Sequence, residues 1–65
     1  MIKVNRKGVD ITVKYYNDFC RLEGSATTFC KDIKSAKELA KTIRQARDLG
    51  YGFAKCRAIL EGDTL

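Results

Sequence analysis

The sequence predicts a small α+β domain in which an antiparallel meander of three or four strands packs on one main α-helix. Three observations lead to this fold class. Apolar and polar residues alternate near the N-terminus, as in strands with one buried face. Apolar residues then recur at helical spacing between residues 35 and 49. A chain of 65 residues has room for one small core, so a single domain over residues 1–65 is expected.

The first two strands are predicted from the alternating pattern, which covers residues 2–5 and 9–16. Between them, the stretch NRKG (residues 5–8) ends in a glycine and is typical of a turn. We therefore expect a hairpin with one apolar face that packs on the helix. The side chains on this face are those of Ile2, Val4, Val9, Ile11, Val13 and Tyr15.

Two more turn signals divide the next segment. Asn17-Asp18 and Gly24-Ser25 are pairs of residues that favour turns. Strands are therefore expected over residues 19–23 and 26–31. The pattern leaves open which face of the third strand points outward, because a one-residue change of register would exchange its two faces.

The main helix is predicted over residues 35–49. Ser35 and Glu38 have the spacing of a capping box at its start. Gly50 follows the last periodic residue, where a helix C-terminus favours a left-handed conformation. The expected apolar stripe consists of Ala36, Leu39, Ala40, Ile43 and Ala46.

The C-terminal segment has two interpretations. Residues 53–61 fit a short helix that ends near Gly62, with a frayed tail after it. The alternative is a strand that begins with Tyr51 and Phe53. We favour the helix.

The composition argues against catalysis and against metal binding. The chain has no histidine, so a cysteine nucleophile would lack its usual base. The eight acidic residues are spread singly rather than clustered. Cys20, Cys30 and Cys56 form no CxxC pair and would be an incomplete zinc site. We expect no catalytic residue, no metal and no cofactor.

The sequence also bears on location. It contains no apolar run near the roughly 18 residues that span a bilayer. The N-terminal residues have no continuous apolar segment of the kind found in signal peptides. A soluble, cytoplasmic protein is therefore expected.

The charge balance favours an anionic partner. Thirteen lysines and arginines stand against eight acidic residues, which gives a net charge of +5 and a pI near 9.3. Nucleic acid, an acidic protein surface and a membrane surface are the candidate partners. A membrane surface is disfavoured, because the apolar stripe of the main helix is mostly alanine and must already pack on the sheet.

Basic residues recur along one side of the main helix. On a helical wheel, four of them fall within about a quarter of the circumference, beside the apolar stripe. We call this group the helix ridge: Lys34, Lys37, Lys41 and Arg44. Asp48 lies on the same side and dilutes its charge, and Lys34 is spaced for a weak ion pair with Glu38.

A second candidate surface is the sheet face turned away from the helix. If Cys20 and Leu22 point inward, aromatic and basic side chains gather near one end of the other face, with Phe19 among them. Such rings can stack unpaired bases while the cations meet phosphates. Tyr15 is expected in the core, Tyr16 outside, and Phe19 fits either side. The candidate binding residues are Lys3, Lys14, Tyr16 and Arg21, with Arg6 and Lys7 on the first turn.

Two functional hypotheses follow. The first is a small non-enzymatic nucleic-acid-binding protein that favours RNA or single strands and binds mainly through phosphates. The second is a protein-binding module, such as an inhibitor or antitoxin-like partner, that docks by the open sheet face or an edge strand. An unpaired sheet edge also makes a homodimer an option. The short, basic chain suits a compact accessory protein, and a phage origin is one interpretation.

Overall fold

Residues 1–62 are described by a computed structural model, in which one antiparallel sheet carries two helices on one face. The strands β1 (Ile2–Lys7), β2 (Asp10–Tyr16) and β3 (Leu22–Phe29) lie in the order β1-β2-β3. The helices α1 (Ile33–Asp48) and α2 (Phe53–Leu60) follow. The predicted α+β class is confirmed, with the smaller of the two expected strand numbers. The frayed tail expected after Gly62 lies outside the described residues.

The first hairpin turns later than predicted. β1 continues to Lys7, which pairs with Asp10, so the turn consists of Gly8 and Val9 rather than residues 5–8. Gly8 has a φ of +62°, and glycine in this conformation is what a two-residue hairpin turn needs at its first position. The predicted place of Val9 in the second strand is therefore wrong.

A single strand replaces the predicted third and fourth strands. β3 runs through the expected turn at Gly24-Ser25, and Gly24 pairs with Tyr15 of β2. The glycine is needed here for a tertiary reason, because a Cβ atom on Gly24 would lie 2.7 Å from Cε2 of Phe53 in α2. The glycine marks a close approach between a strand and a ring, not a turn.

A bulge sets the faces at the start of β3. The register shifts between Tyr15 and Tyr16, which pair with Gly24 and Leu22, so Glu23 is the extra residue. Leu22 therefore shares a face with Tyr16 and is 54% exposed. The sequence pattern left the outward face of this strand open because it contains no signal for the bulge, and the alternative in which Leu22 points inward is not the one the structure adopts.

Helix α1 starts earlier than predicted and has a different cap. Asp32 is the N-cap, and its Oδ1 accepts a hydrogen bond of 2.7 Å from the backbone N–H of Ser35. The proposed capping box from Ser35 to Glu38 is therefore wrong. Because the backbone and side chain of Ser35 hydrogen-bond the carboxylate, the pKa of Asp32 is lowered.

Helix α1 is terminated by a glycine, as predicted. Gly50 has a φ of +95°, and its N–H donates to the carbonyl of Arg47 over 3.0 Å. The N–H of Tyr51 reaches back to the carbonyl of Ala46 over 3.1 Å. This pair of bonds is a Schellman motif, which satisfies carbonyls that a helix end leaves unpaired.

The core lies between the sheet and the two helices. α1 packs mainly beneath β1, while α2 packs beneath β2 and β3. The predicted apolar stripe of α1 is confirmed, with Leu39 only half-buried, and the short C-terminal helix is confirmed as α2. Within residues 1–62, neither helix has the length and apolar character needed to cross a membrane. The buried core consists of Val4, Ile11, Val13, Ala36, Ala40, Ile43, Ala46, Cys56 and Leu60.

Candidate binding surface on the open sheet face

The face of the sheet turned away from the helices, here called the outer face, has no helix packed on it within residues 1–62. The strand register and the alternation of side chains arrange its residues in cross-strand rows. Three rows cross all three strands, and a fourth lies beyond the bulge. The rows are Lys7, Asp10 and Phe29; Asn5, Thr12 and Thr27; Lys3, Lys14 and Ser25; and Tyr16 with Leu22.

Two lysines stand directly opposite each other on this face. Lys3 of β1 and Lys14 of β2 are register partners, and Ser25 completes their row. Like charges in directly opposed positions destabilise a sheet by about 0.2–1 kcal/mol. The third residue of the row is uncharged, so the two ammonium groups create a local positive potential on the outer face.

Tyr16 lies beside this lysine pair. The Nζ atom of Lys3 is 5.3 Å from the centroid of the Tyr16 ring, within the range of a cation–π interaction. The ring borders a shallow depression of about 190 Å³. The depression is lined by Met1, Lys3, Tyr16, Asn17 and Cys20. A cation, a ring and a concave surface therefore meet at one end of the outer face.

The loop between β2 and β3 is held by Asn17. The side-chain Oδ1 of Asn17 accepts hydrogen bonds from the N–H groups of Phe19 and Arg21, over 2.8 and 3.0 Å. Its Nδ2 donates to Oε2 of Glu23 over 3.1 Å. Phe19 is left 83% exposed at the loop tip, and a second depression of about 430 Å³ lies between Asn17, Phe19 and Arg21.

This loop alters the predicted location of two residues. Phe19 and Arg21 lie in the loop, before β3 begins, rather than on the sheet. Both remain next to the Tyr16 end of the outer face because the loop starts directly after Tyr16. Asn17 is the residue that positions them, and sequence reasoning identified it only as part of a turn.

The helix ridge is exposed as predicted. All four of its side chains are solvent-exposed, and Arg44 reaches the sheet: its Nη2 donates to the carbonyl of Val4 over 3.4 Å. Val4 belongs to β1 and is adjacent in sequence to Lys3. The ridge therefore meets the outer face at the edge of β1, and Arg44 and Lys3 bring the two basic surfaces together.

Two predicted residues lie elsewhere than expected. Arg6 and Lys7 belong to the end of β1 and not to a projecting turn. Lys7 is exposed on the outer face opposite Asp10. Arg6 lies on the helix side, is half-buried, and donates from Nη1 to the carbonyl of Gly8 over 2.9 Å. Arg6 is thus the candidate least suited to a ligand on the outer face.

None of the four residues of the helix ridge forms an ion pair within residues 1–62. Asp48 forms an ion pair of 3.2 Å with Arg47, on the flank of the ridge. The other ion pair within residues 1–62 joins Arg57 of α2 to Glu61, the C-cap of that helix. Within the described residues, Lys34 and Glu38 form no ion pair, so the weak pair expected between them is absent.

The three cysteines occupy different environments. Cys56 is buried in the core, Cys30 is half-buried, and Cys20 is exposed with a φ of +61° in the loop. Burial raises the pKa of the Cys56 thiol, and the charge of Arg47 partly opposes this shift. Across residues 1–62, the structure brings no three cysteine or acidic side chains together as a potential metal site.

Some members of the surface were missed by sequence reasoning. Leu22 and Phe29 both point to the outer face and are 54% and 74% exposed. An alternating pattern places Phe29 correctly only when β3 is read as one uninterrupted strand. The pattern offers no comparable signal for Leu22, because the bulge decides its side.

Comparison with known proteins finds no match: no family model fits the chain, no curated protein matches it, and no solved structure matches it.

Proposed function

We propose that this chain is a small, non-enzymatic, basic nucleic-acid-binding protein that favours RNA or single strands. Phosphates would contact Lys3, Lys14 and the helix ridge, and an unpaired base would stack on Tyr16. Arg21 would extend the site along the loop. We also propose that the protein acts in the cytoplasm.

One observation carries this proposal: the opposed lysines beside a half-buried tyrosine on the outer face. The fold accepts a like-charge pair on Lys3 and Lys14 that costs stability in the unbound protein. An anion placed between the two ammonium groups would turn that repulsion into attraction. The Tyr16 ring, 5.3 Å from the Lys3 nitrogen, offers a flat apolar surface at the same place. Phosphate and base are attached to each other in a nucleotide, so nucleic acid fits both features.

The magnitudes favour phosphate contacts as the main source of affinity. A stacked base contributes about 1–3 kcal/mol, and the outer face offers one well-placed ring at the lysine pair. Each neutralised phosphate releases counterions, so several lysine contacts together dominate binding at low salt and make it steeply salt-dependent. We therefore expect weak sequence preference.

The shape of the surface favours single strands. A flat sheet face with a ring among cations is suited to splayed bases. Reading of a duplex groove uses a protruding helix or a ribbon that enters it. In α1, one side is buried against β1 and the other presents lysines, which suits contact with a phosphate backbone rather than base edges.

Binding can be tested by fluorescence anisotropy with single-stranded RNA, double-stranded RNA and duplex DNA, at about 50 and 200 mM salt. We expect the tightest binding for the single strand and a marked loss of affinity at the higher salt concentration. Absence of binding to any of the three at the lower salt concentration would overturn the proposal.

Matched variants separate a site from general charge. The double variant Lys3→Gln and Lys14→Gln lowers the net charge from +5 to +3. Lys55→Glu lowers it by the same two units at an exposed position on α2, away from both basic surfaces. We expect the double variant to lose at least tenfold in affinity and Lys55→Glu to lose much less. Equal losses of affinity in the two variants would show that binding depends on net charge alone and not on a site at Lys3 and Lys14.

A second function is favoured by a separate observation. The Tyr16 end of the outer face also exposes apolar side chains, and Met1, Phe19 and Leu22 are 70%, 83% and 54% exposed. Exposed aromatic and aliphatic groups next to arginine are typical of a protein-binding surface. An inhibitor or antitoxin-like module would use this end for docking.

Charge reversal on the ridge distinguishes the two functions. Replacement of Lys37, Lys41 and Arg44 by glutamate should abolish nucleic-acid binding. A docking surface around Tyr16 and Phe19 would keep its affinity for a protein partner, since none of the three changes lies in it. A Phe19→Ala variant should have the reverse effect, with little loss of RNA binding at low salt.

A further inference from the structure

The two edges of the sheet differ in which backbone groups they present. Met1 and Tyr16 exchange two backbone hydrogen bonds of 2.7 and 2.8 Å, so they form a hydrogen-bonded pair. Such pairs alternate along an antiparallel ladder. It follows that the N–H and C=O groups of Ile2, Val4 and Arg6 face away from β2. By the same alternation, those of Ser25, Thr27 and Phe29 face away from β2 on the other edge.

The edge of β1 is protected against pairing with another strand. Arg44 donates to the outward carbonyl of Val4, and its side chain lies along this edge. β1 also carries three basic residues, Lys3, Arg6 and Lys7. A side chain across the edge and a high charge are both devices that block strand addition.

The edge of β3 has neither a covering side chain nor a high charge. From Gly24 to Cys30 the chain contains no charged residue and no proline. The outward backbone groups of Ser25, Thr27 and Phe29 have no hydrogen-bonding partner among residues 1–62. Phe29, at the end of this edge, is 74% exposed. An uncharged, extended edge with an exposed ring is suited to pairing with another strand.

We propose that β3 pairs with β3 of a second copy of this chain to form a symmetric antiparallel dimer. A two-fold axis at Thr27 places Thr27 opposite its symmetry mate and Ser25 opposite Phe29 of the partner. All of these are edge-facing residues, so about six backbone hydrogen bonds form between the copies. The pairing uses the regular part of β3 and stops short of the bulge at Glu23.

Charge and symmetry favour a second copy of this chain as the partner that pairs with the β3 edge. A chain with a net charge of +5 repels its own kind, and its cations lie on β1, β2, the loops and the helices. β3 itself contains one charged residue, Glu23, which lies at its far end. The β3 edge is therefore the part of the sheet where two copies approach with the least repulsion. An acidic partner protein would gain nothing from this uncharged edge.

The dimer would also extend the outer face. Both copies would contribute to one continuous sheet with the strand order β1-β2-β3-β3-β2-β1, with all helices on one side. Each exposed Phe29 ring would pack against Ser25 and Thr27 of the partner on the shared outer face, since cross-strand and diagonal neighbours lie within contact distance. The basic edges of β1 would lie at the two ends.

The test is the mass of the protein in solution, measured by sedimentation equilibrium from about 10 µM to 1 mM. Thr27→Lys would place two ammonium groups face to face at the two-fold axis. Asn5→Lys is a matched control, because Asn5 and Thr27 lie in the same row of the outer face, on opposite edges. We expect dimers for the original chain and for Asn5→Lys, and at least a tenfold weaker dimer for Thr27→Lys. Circular dichroism checks that both variants are folded.

Amide hydrogen exchange identifies the edge. In the dimer, the N–H groups of Ser25, Thr27 and Phe29 should be protected, while the outward N–H groups of Ile2 and Arg6 exchange quickly. Thr27→Lys should remove the protection on β3 only. A chain that stays monomeric at 1 mM would overturn the proposal. So would a dimer that Thr27→Lys leaves intact, or one that protects the β1 edge instead. None of these outcomes depends on nucleic-acid binding.

Discussion

Gly24 lies against the ring of Phe53, and the ring occupies the space that a side chain at position 24 would fill. A Cβ atom at Gly24 would be 2.7 Å from Cε2 and 3.0 Å from Cζ of Phe53. Tyr15, the register partner of Gly24, packs its ring 6.1 Å from the Phe53 ring, measured between centroids. The position of α2 beneath the sheet therefore depends on a glycine in the middle of β3.

A double-mutant cycle tests this relationship. Gly24→Ala should lower the free energy of unfolding by about 1–3 kcal/mol, because the added methyl group overpacks a site that the Phe53 ring fills. Phe53→Leu should also be destabilising, since it removes ring contacts with Tyr15. In the Phe53→Leu background, however, Gly24→Ala should cost less, because the clash is relieved. The measurement is urea unfolding of the four proteins.

Gly52→Ala is a useful comparison for this cycle. A Cβ atom at Gly52 meets nothing within 4 Å, and Gly52 has an ordinary extended backbone. We expect its effect to be the same with Phe53 and with Leu at position 53. Additive effects for Gly24→Ala and Phe53→Leu would contradict the packing that we describe.

We expect Lys14 to lower the stability of the unbound protein and to strengthen RNA binding. Lys14→Gln removes the like-charge repulsion with Lys3, so we expect the free energy of unfolding to rise by about 0.2–1 kcal/mol at low salt. The same change should weaken RNA binding several-fold. Thermal unfolding at low and high salt measures the first effect, because salt screens the repulsion.

Lys55→Gln serves as the control for Lys14→Gln, since it removes one charge at an exposed position on α2. It should change stability and RNA affinity only slightly. A Lys14→Gln variant that is less stable than the original chain would show that Lys14 has a favourable partner.

The cap of α1 should make stability depend on pH in the acidic range. The pKa of Asp32 is lowered by its hydrogen bonds to Ser35, so its carboxylate stabilises the folded chain above the unfolded pKa of about 3.9. This contribution is lost as the pH falls through the folded pKa. Asp32→Asn keeps an acceptor at the cap but has no carboxylate to titrate.

The expected result is a difference in slope. The melting temperature of the original chain should fall more steeply below about pH 4 than that of Asp32→Asn. Asp32→Ala, which lacks any acceptor, should be the least stable of the three at pH 7. If the melting temperatures of the original chain and Asp32→Asn fall in parallel with pH, the titration of Asp32 is not the cause of the acid destabilisation.

Thiol reactivity should follow burial. In the folded protein at pH 8, an alkylating reagent should modify Cys20 first, Cys30 more slowly, and Cys56 only as the chain unfolds. Burial both hides the Cys56 sulfur and raises its pKa, so little reactive thiolate is present. Mass spectrometry of peptides over time measures the order. In denaturant the three rates should become similar, and fast labelling of Cys56 in the native state would contradict its place in the core.

Much of the fold was predictable because it depends on local patterns. The alternating residues of the first hairpin, the apolar stripe of α1 and the glycine at its end each have a short-range physical cause. Lys3, Lys14 and Tyr16 were placed on one face by period-2 alternation alone. The helix ridge was placed by the helical repeat alone.

Other features depend on residues far apart in the chain. Gly24 and Ser25 are ordinary turn residues by local preference, but in the fold they pair with Tyr15 and Lys14 of β2, and Gly24 makes room for the Phe53 ring. Likewise, Asp32 rather than Ser35 caps α1, because the chain leaves β3 early enough for the helix to start at Ile33.

The sequence by itself determined the α+β class, the two long apolar faces that must meet, and the positive charge that needs an anionic partner or solvent. Only the tertiary structure decided that β3 is one strand, that the bulge at Glu23 turns Leu22 outward, and that Arg44 joins the helix ridge to the outer face. The physical reason is that periodicity sets which side of an element is buried. The packing of one element on another decides where it begins, where it ends and which of its neighbours it meets.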